Sequence, residues 1–414
     1  MDRHAELRAA GGLIGEAAAG TVGIVRDVHR AVSDRVEAAL PAVAQPVTAA
    51  QGAVTHLVYA GVEAAHRWAP VLGAEIWART SDAEAPPPSH SPSGRFVVPA
   101  VNGLWGDRIE ERHPALSVPM AVRVDHHDTP LDPDGVAAAF PTATPRLVVF
   151  LHGLSESDSS WWLGSGPDRS LPSYGDRLAD DLGTTAVYVR YNTGRRISAN
   201  GRSLALLLDD LVAAWPVPVE RIDLVGHSMG GLVIRSAGHY GDVHDAAWVP
   251  RLGTVVTLGT PHGGSHVEKA AHVADRLLSR LPESAPLARL LGARSVGIKD
   301  LRYGRIVDED WLHDEAEAFL TDTSTDVALL DHVTYYYVAA AVTRDPQHPA
   351  GRLVGDGLVR HPSARGAATT RRVALEFHDG AHLGGVGHLS LLNHDDVYPH
   401  LLRWLTADSG SVAS

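Results

Sequence analysis

The residue of this chain whose surroundings point most clearly to catalysis is a serine in a glycine-rich motif. Ser228 lies in the sequence Gly-His-Ser-Met-Gly at residues 226–230, a pattern in which the serine hydroxyl acts as a nucleophile. The pattern alone is only moderately specific, since a glycine-rich chain also produces it by chance. However, residues 221–225 predict a strand before the motif, and residues 231–235 predict a helix directly after it. A sharp turn between the two would expose the serine hydroxyl, so we predict that Ser228 is a nucleophile.

Such a nucleophile requires two backbone N–H groups that bind the negative oxygen of a tetrahedral intermediate. One is predicted to come from the residue after the serine, Met229. The apolar residues 147–151 predict an earlier strand that leads into His152, Gly153 and Leu154. Because Gly153 permits a tight backbone, the Leu154 N–H is the predicted second donor. An ordinary turn after a strand is the alternative interpretation.

A serine also requires a histidine that removes its proton and a carboxylate that orients the histidine. With this serine motif, the acid and then the histidine follow the serine along the chain. Two acids, Asp345 and Asp356, follow a strand predicted over residues 334–342. We predict Asp356, because the glycines on both sides of it let a carboxylate turn inward from a tight loop. Asp345, which precedes a proline, is typical of an ordinary turn.

Five histidines in the last forty residues are candidates for the base. They are His378, His382, His388, His394 and His400. His388 lies in Gly-Val-Gly-His-Leu, after a last strand predicted over residues 372–377 and before a helix predicted over residues 397–405. Since a loop between a strand and a helix is the expected position of the base, we predict His388, with His382 as the alternative.

Histidine clusters also occur at metal sites. The late histidines and the run His126, His127 and Asp128 have irregular spacing, and no supporting ligands can be inferred for them. Histidines in solvated loops are therefore the favoured interpretation. The sequence predicts neither a catalytic metal nor a cofactor.

Short apolar or β-branched runs alternate with helical segments in the larger part of the chain. Strands are predicted over residues 120–124, 147–151, 186–191, 222–225, 255–258 and 334–342. Helices predicted over residues 203–215 and 232–237 lie between some of these strands. The alternation is typical of a mostly parallel sheet with helices on both faces, so we predict an α/β fold.

Residues 1–80 have helical periodicity and no strand alternation. They predict an N-terminal helical hairpin that covers apolar surface on the main domain or on a second subunit, with contact to a membrane surface as the alternative. Residues 81–96, rich in Pro and Ser, predict a linker, and residues 97–410 predict a catalytic domain. Residues 262–330 have helical character and predict a cap, which either closes over an acyl pocket as a lid or completes the core.

The overall composition excludes several classes of protein. The formal net charge of −13 disfavours nucleic-acid binding, which depends on clustered Lys and Arg side chains. None of the 414 residues is cysteine, so disulfides, a thiol nucleophile and thiolate metal sites are excluded. We expect no secretory peptide at the acidic start and no segment that spans a bilayer. The expected location is cytoplasmic, with peripheral membrane contact left open.

The chain resembles the bacterial lipases and esterases of the α/β-hydrolase superfamily, including the branch related to GPI inositol-deacylases. The motifs are Leu-His-Gly at 151–153, Tyr-Asn at 191–192, Gly-His-Ser-Met-Gly-Gly at 226–231, Leu-Gly-Thr-Pro-His at 258–262, Gly-Asp-Gly-Leu-Val at 355–359, Ser-Ala at 363–364 and Gly-His-Leu at 387–389. The resemblance covers residues 97–406 and implies a triad of Ser228, Asp356 and His388. Some relatives bind calcium through an aspartate two residues after the histidine; this position is Ser390 here, so calcium is not implied.

We therefore expect an α/β-hydrolase fold with a mostly parallel central sheet, a helical cap insertion and an N-terminal helical extension. The expected reaction is the hydrolysis of carboxylic esters with apolar acyl groups, through an acyl-enzyme on Ser228. A small-molecule acyl ester or a lipid is the expected partner. Acyl transfer to an alcohol other than water would use the same residues and is one alternative. A lipid-binding protein without catalysis is another.

Overall fold

The structure, a computed structural model, describes the greater part of the chain. The described residues are 2–38, 45–80, 82, 87, 89, 91, 94–163, 172–265, 268, 294–312, 324–367 and 375–407. The chain divides into two compact units. One contains the described residues up to 98, residues 107–117 and residue 294, and the other contains residues 99–106 and the described residues of 118–268 and 295–407.

Two long helices make up most of the first unit. They are α1 (Arg3–Ala38) and α2 (Gln45–Thr80). The helices are antiparallel, since Arg8 pairs with Glu75 and Gly15 lies against the backbone of Arg67. A Cβ atom at Gly15 would lie 2.2 Å from the Arg67 carbonyl oxygen, so this close approach of the helices requires a residue without a side chain.

One face of α2 is apolar and exposed. Trp68, Leu72 and Ile76 follow one another at intervals of one helical turn, and each is more than half exposed, as is Trp77. Within the described ranges, no helix has both the length and the hydropathy needed to cross a bilayer. The expected contact of the N-terminal helices with a membrane or a second subunit stays a prediction, as does the cytoplasmic location.

Eight strands of the described chain form one sheet in the second unit. They are β1 (Ala121–Val124), β2 (His127–Asp128), β3 (Arg146–Leu151), β4 (Thr185–Arg190), β5 (Arg221–His227), β6 (Leu252–Leu258), β7 (Thr334–Ala341) and β8 (Asp379–Gly384). Their order is β2-β1-β4-β3-β5-β6-β7-β8. β1 is antiparallel to both of its neighbours, whereas β3 to β8 are mutually parallel. The carboxyl ends of six strands therefore meet at one edge of the sheet.

Helices cover both faces of this sheet. Of the α-helices within the described ranges, α3 (Gly94–Arg112) has residues in both units, and the others are α4 (Pro133–Ala139), α5 (Tyr174–Leu182), α6 (Ile197–Ala214), α7 (Met229–Val243), α8 (Val296–Asp300), α9 (Pro349–Val354), α10 (His361–Ala364) and α11 (Tyr398–Ala407). On β3, Leu147, Val149 and Leu151 pack into the apolar core that contains α6 and α7. Val148 and Phe150 point to the other face, into the core that contains α5 and α11. Burial on both faces explains why the strand is a continuous apolar run in the sequence.

The last strand lies later than the sequence predicts, and the prediction of a strand over residues 372–377 is wrong. Residues 372–374 lie outside the described ranges, and residues 375–377 have no regular structure. β8 instead has the sequence Asp-Gly-Ala-His-Leu-Gly, which has little strand propensity. It pairs with β7 from Tyr336↔Asp379 to Ala341↔Gly384. This pairing with a buried neighbour, rather than local propensity, makes the segment a strand.

The boundaries predicted for the extension, the linker and the cap stay predictions. Much of the linker, residues 81–96, lies outside the described ranges. The same is true of most of the cap, residues 262–330. The other predicted strands agree with the structure to within three residues at either end.

Candidate active site

Ser228 lies in the sharp turn between β5 and α7. Its backbone has φ 51° and ψ −120°, a left-handed conformation that costs a residue with a side chain about 1–3 kcal/mol. Surrounding contacts maintain the strain: the Ser228 N–H donates to the Leu258 carbonyl oxygen at 2.8 Å, and α7 begins with the next residue, Met229. A Cβ atom at Gly226 would lie 2.6 Å from the Gly231 nitrogen, so this elbow requires glycine.

The loop after β3 lies directly against this elbow. A Cβ atom at Gly153 would lie 2.9 Å from the Ser228 Cβ. His152 anchors the start of the loop, because it is buried and its carbonyl oxygen accepts a hydrogen bond from the Tyr191 hydroxyl at 2.8 Å. The Leu154 N–H donates to no acceptor within the described residues. The loop therefore presents a backbone donor close to the serine.

The Met229 N–H is the second predicted donor, and it lies at the first position of α7. The first N–H groups of an α-helix have no acceptor within the helix, and together they form its positive end. Anions are stabilised at such an end. The amides predicted to bind an oxyanion thus lie on both sides of Ser228, one from the loop and one from the helix.

Asp356 and His388 form a buried pair. His388 Nδ1–H donates to Asp356 Oδ2 at 2.7 Å, and the two side chains are 5% and 1% exposed, respectively. The Leu358 and Val359 N–H groups donate to the other carboxylate oxygen, Oδ1, at 2.9 and 2.8 Å. The His388 N–H donates to the Asp356 carbonyl oxygen at 3.0 Å. The loop of the acid and the loop of the histidine therefore hold each other.

The pKa of Asp356 reflects opposing effects. Burial raises the pKa of the carboxyl group, but the hydrogen bond and charge of His388, together with the Leu358 and Val359 amides, lower it further than burial raises it. The net pKa is lowered, so Asp356 is an ionised carboxylate that only accepts hydrogen bonds. Nδ1 of His388 must then carry a proton, which leaves Nε2 to accept one.

Gly259, the first residue after β6, lies where the serine and the pair converge. Its φ is 58°, and a Cβ atom there would lie 3.2 Å from both Asp356 Oδ2 and His388 Cε1. The preceding residue, Leu258, holds the Ser228 N–H. The structure thus brings Ser228, Asp356 and His388 to one edge of the sheet. The described side chains of Ser228 and His388 form no hydrogen bond to each other. In serine hydrolases the distance between these two groups is often long until substrate binds.

The alternative acid and base have other contacts. Asp345 is exposed, and its Oδ1 accepts a hydrogen bond from the Gln347 N–H, as is usual for a turn residue. His382 lies within β8 rather than in a loop, and its ring stacks on that of His361 with centroids 4.2 Å apart. The contacts of Asp345 and His382 are therefore those of a turn residue and a strand residue.

In the His126–Asp128 run, His126 lies in the tight turn after β1, and His127 and Asp128 form β2. Asp128 binds the guanidinium groups of Arg123 and Arg190, the latter at 2.9 Å. Within the described ranges, no group of three or more His, Asp or Glu side chains could hold a metal ion. The absence of a catalytic metal stays a prediction.

Sequence reasoning missed two residues of the site, Glu156 and His227. The His227 ring is fully buried, with Nδ1 3.0 Å from Glu156 Oε2 and Nε2 3.1 Å from the His388 carbonyl oxygen. Glu156 Oε2 also accepts a hydrogen bond from the Gly153 N–H at 2.6 Å. Seventy-one residues separate Glu156 from His227, and no periodicity connects them. The sequence signal is position: His227 lies within the serine motif, and Glu156 lies two residues after Leu154.

Residues 143–331 match the family model described as the PGAP1-like alpha/beta domain. The matched segment contains β3 to β6 and the Ser228 elbow, which belong to the eight-stranded sheet. The chain has the α/β-hydrolase fold. The predicted α/β-hydrolase fold, with its mostly parallel sheet and helical N-terminal region, is therefore confirmed.

Two curated relatives are triacylglycerol lipases. The chain is 33% identical over 141 residues to that of Burkholderia plantarii, which covers 32% of this chain and 34% of the relative. It is 32% identical over 131 residues to that of Pseudarthrobacter phenanthrenivorans, which covers 30% of this chain and 35% of the relative. The α/β-hydrolase chain thus spans about a third of the length of these relatives.

A solved structure of a Bacillus licheniformis lipase in mature form is also similar. Its TM-score is 0.40 at 20% identity, over 70% of this chain and 99% of that chain. The predicted resemblance to bacterial lipases is confirmed by the curated relatives.

Proposed function

We propose that this α/β-hydrolase is a serine-dependent carboxylic ester hydrolase, with Ser228 as the nucleophile, His388 as the base and Asp356 as the acid that orients the base. One observation carries the proposal: a buried carboxylate and a histidine, 2.7 Å apart, lie at the same sheet edge as a serine held in a strained elbow. Strain at a serine is retained where the surrounding structure fixes it, and such sites are commonly functional. The names of the two curated relatives support the same reaction class.

The reaction begins when Ser228 Oγ attacks the ester carbonyl carbon while His388 Nε2 takes the hydroxyl proton. Asp356 stabilises the imidazolium that forms. The carbonyl oxygen becomes negative and accepts hydrogen bonds from the Leu154 and Met229 amides. His388 then protonates the alcohol as the C–O bond breaks, which leaves an acyl-enzyme. Water repeats the sequence with His388 as the base, and the acid product and free Ser228 result.

Low exposure of the pair favours this chemistry. Asp356 is nearly inaccessible to water, so its attraction for the His388 imidazolium is screened less than that of a surface pair. The Nδ1–H hydrogen bond fixes the tautomer in which Nε2 is the acceptor. A histidine in this state removes a proton from serine without a prior rearrangement.

The proposed substrates are acyl esters with an apolar acyl group, including lipid esters. Two exposed apolar residues, which adjoin the proposed catalytic residues in the chain, support this substrate class. Leu389, which follows His388, is 58% exposed, and Leu358, two residues after Asp356, is 42% exposed. An apolar chain bound across such side chains would remove them from water, which is favourable by about 25 cal/mol per Å². Acyl transfer and lipid binding without catalysis are not favoured, because both curated relatives are named for hydrolysis.

A series of p-nitrophenyl esters from acetate to palmitate tests the proposal. Wild type, Ser228→Ala and Ser236→Ala are compared at equal protein concentration. Ser236 is the matched control, because it is a buried serine on α7 whose hydroxyl binds the Ile306 carbonyl oxygen at 2.6 Å. We expect Ser228→Ala to lose at least about 10⁴-fold in kcat and all labelling by a fluorophosphonate probe.

Ser236→Ala is expected to keep both the hydrolysis and the labelling. Equal hydrolysis by wild type and Ser228→Ala would refute the proposal. The acyl length at which kcat/KM is highest reports the size of the acyl site.

A further inference from the structure

A buried carboxylate–histidine pair, Glu156 and His227, connects three loops around Ser228. Glu156 Oε2 accepts the Gly153 N–H of the loop after β3 at 2.6 Å and contacts His227 Nδ1 at 3.0 Å. His227 immediately precedes Ser228, and its Nε2 lies 3.1 Å from the His388 carbonyl oxygen. The pair therefore contacts the loop after β3 that carries Gly153 and Leu154, here called the oxyanion loop. It also contacts the Ser228 elbow and the loop that carries His388.

The geometry determines the charge of His227. Both of its ring nitrogens face oxygen atoms that only accept hydrogen bonds, a carboxylate on one side and a carbonyl on the other. A neutral imidazole has one N–H and would leave one of these oxygens facing a nitrogen lone pair. Two donors require an imidazolium. The pair is thus a positively charged ring beside a negatively charged carboxylate.

The pKa values agree with this assignment. Burial lowers the pKa of His227, but the charge and hydrogen bond of Glu156 and the His388 carbonyl raise it by more, so its net pKa is raised. Burial raises the pKa of Glu156, but His227 and the Gly153 N–H lower it by more. Both groups are therefore held in their charged forms.

We propose that Glu156 and His227 are positioning residues of the ester hydrolase, which fix the oxyanion loop and the base relative to Ser228 through one buried ion pair. This inference rests on the proposed function. Neither residue touches the reacting atoms. Each instead holds the backbone near a residue proposed to act in the reaction: Glu156 holds Gly153, which precedes Leu154, and His227 holds His388. Glu156 orients the Gly153 peptide, and so the Leu154 amide that follows it. His227 holds the His388 backbone.

The pair also limits an electrostatic penalty. The His227 and His388 rings are 4.7 Å apart between centroids. His388 becomes positive during the reaction, and a positive His227 alone would oppose that change. The Glu156 carboxylate on the far side of His227 offsets this repulsion. A positively charged His227 is therefore compatible with the reaction only as one half of an ion pair with Glu156.

Two substitutions separate these contributions. Glu156→Ala removes both the acceptor and the charge. Glu156→Gln keeps an oxygen that can accept the Gly153 N–H but removes the charge that keeps His227 protonated. The matched control is Asp223→Asn, a buried carboxylate at the opposite end of β5 that binds Arg146, Arg221 and the Thr254 N–H.

The test measures kcat and KM for a p-nitrophenyl ester, with active sites counted by endpoint fluorophosphonate titration. We expect kcat per active site to fall about 10- to 100-fold in Glu156→Ala, because a misplaced oxyanion donor weakens transition-state binding, with KM within about twofold of wild type. Glu156→Gln is expected to lie between wild type and Glu156→Ala. Asp223→Asn is expected to lower the unfolding temperature and leave kcat per active site unchanged.

NMR of protein with ¹⁵N-labelled histidine gives a second readout, which does not depend on activity. We expect both ring nitrogens of His227 to be protonated in wild type at neutral pH and only one in Glu156→Gln. A neutral His227 in wild type would overturn the proposal. So would unchanged kcat per active site in both Glu156 variants, or an equal loss in Asp223→Asn. If Glu156→Ala does not fold, the Glu156→Gln measurements still decide the outcome.

Ser228→Ala, measured in the same series, separates this proposal from the proposed function. If Ser228→Ala hydrolyses the ester as fast as wild type, the hydrolase mechanism itself fails. If Ser228→Ala is inactive while Glu156→Ala keeps its kcat per active site, only the positioning role fails.

Discussion

Asp356→Asn exchanges one carboxylate oxygen for an amide group and so reverses the hydrogen bond to His388. The Leu358 and Val359 N–H groups both donate to Oδ1 and require an acceptor there. The asparagine oxygen is therefore expected at this position, which turns its NH₂ group toward His388 Nδ1. An NH₂ group only donates, so Nδ1 must accept and the ring must carry its proton on Nε2. In that tautomer Nε2 is unable to take the proton of Ser228.

The expected loss follows from this change of tautomer. The same change in a serine hydrolase triad lowers kcat about 10⁴-fold, which corresponds to about 5.4 kcal/mol at about 1.36 kcal/mol for each factor of ten. The Asp356 side chain is 1% exposed, so water has no access through which to replace the missing acceptor. Asp356→Ala leaves both tautomers of His388 accessible but also leaves two amides without an acceptor. We therefore expect asparagine to be the more stable variant and yet no more active than alanine.

Steady-state kinetics with a p-nitrophenyl ester and thermal unfolding check this ranking. Asp345→Asn is the control, because Asp345 is exposed and its carboxylate accepts the Gln347 N–H of its own turn. It is expected to retain wild-type kcat and KM. If Asp356→Asn keeps kcat within tenfold of wild type, the assignment of the acid is refuted. A large loss in Asp345→Asn would transfer the role to that residue.

Two further predictions concern the loop after β3 and the buried ion pair. Gly153→Ala places a Cβ atom 2.9 Å from the Ser228 Cβ and 3.0 Å from the Glu156 carboxylate, so the loop must move. We expect kcat to fall about 10²- to 10³-fold, because the Leu154 donor is displaced. An unchanged kcat would contradict the position of the oxyanion loop. Urea unfolding at different pH values tests the pair, with Glu156→Gln as the reference. Glu156 has a lowered pKa, so its ionised form stabilises the fold above pH 4.5, its ordinary pKa, and this stabilisation is lost as the pH falls. His227 has a raised pKa, so its charged form stabilises the fold below pH 6.5, its ordinary pKa. This stabilisation is lost as the pH rises through the raised pKa. The stability difference between the two proteins should therefore be greatest between pH 4.5 and 6.5, and a difference that does not vary with pH would contradict the ion pair.

Several features of the site could be predicted because they depend on local sequence. The Ser228 elbow combines a strand, two close-approach glycines and a helix within a few positions, and each constraint restricts the same short segment. The Asp356 loop is equally local. Its carboxylate binds amides two and three residues later, and the flanking glycines both have positive φ. Predictions at these positions required no knowledge of distant contacts.

The last strand depends on contacts that no local pattern encodes. β8 is a strand because β7 supplies a buried edge for it, although its own residues favour turns. The sequence misplaced it over residues 372–377, where the residues are better strand formers. The position of His382 within a strand, rather than beside the base, follows from this pairing.

Neighbours along the chain restrict the serine elbow, the acid loop and the alternation of strands and helices, so local sequence is enough to specify these features. Long-range packing, by contrast, selects the late histidine that meets Asp356 and brings Glu156 and His227 together as a buried pair. His227 lies 71 residues from Glu156 and 161 from His388. The order of strands in the sheet brings such distant residues together, and burial then requires each polar group to find a partner among them.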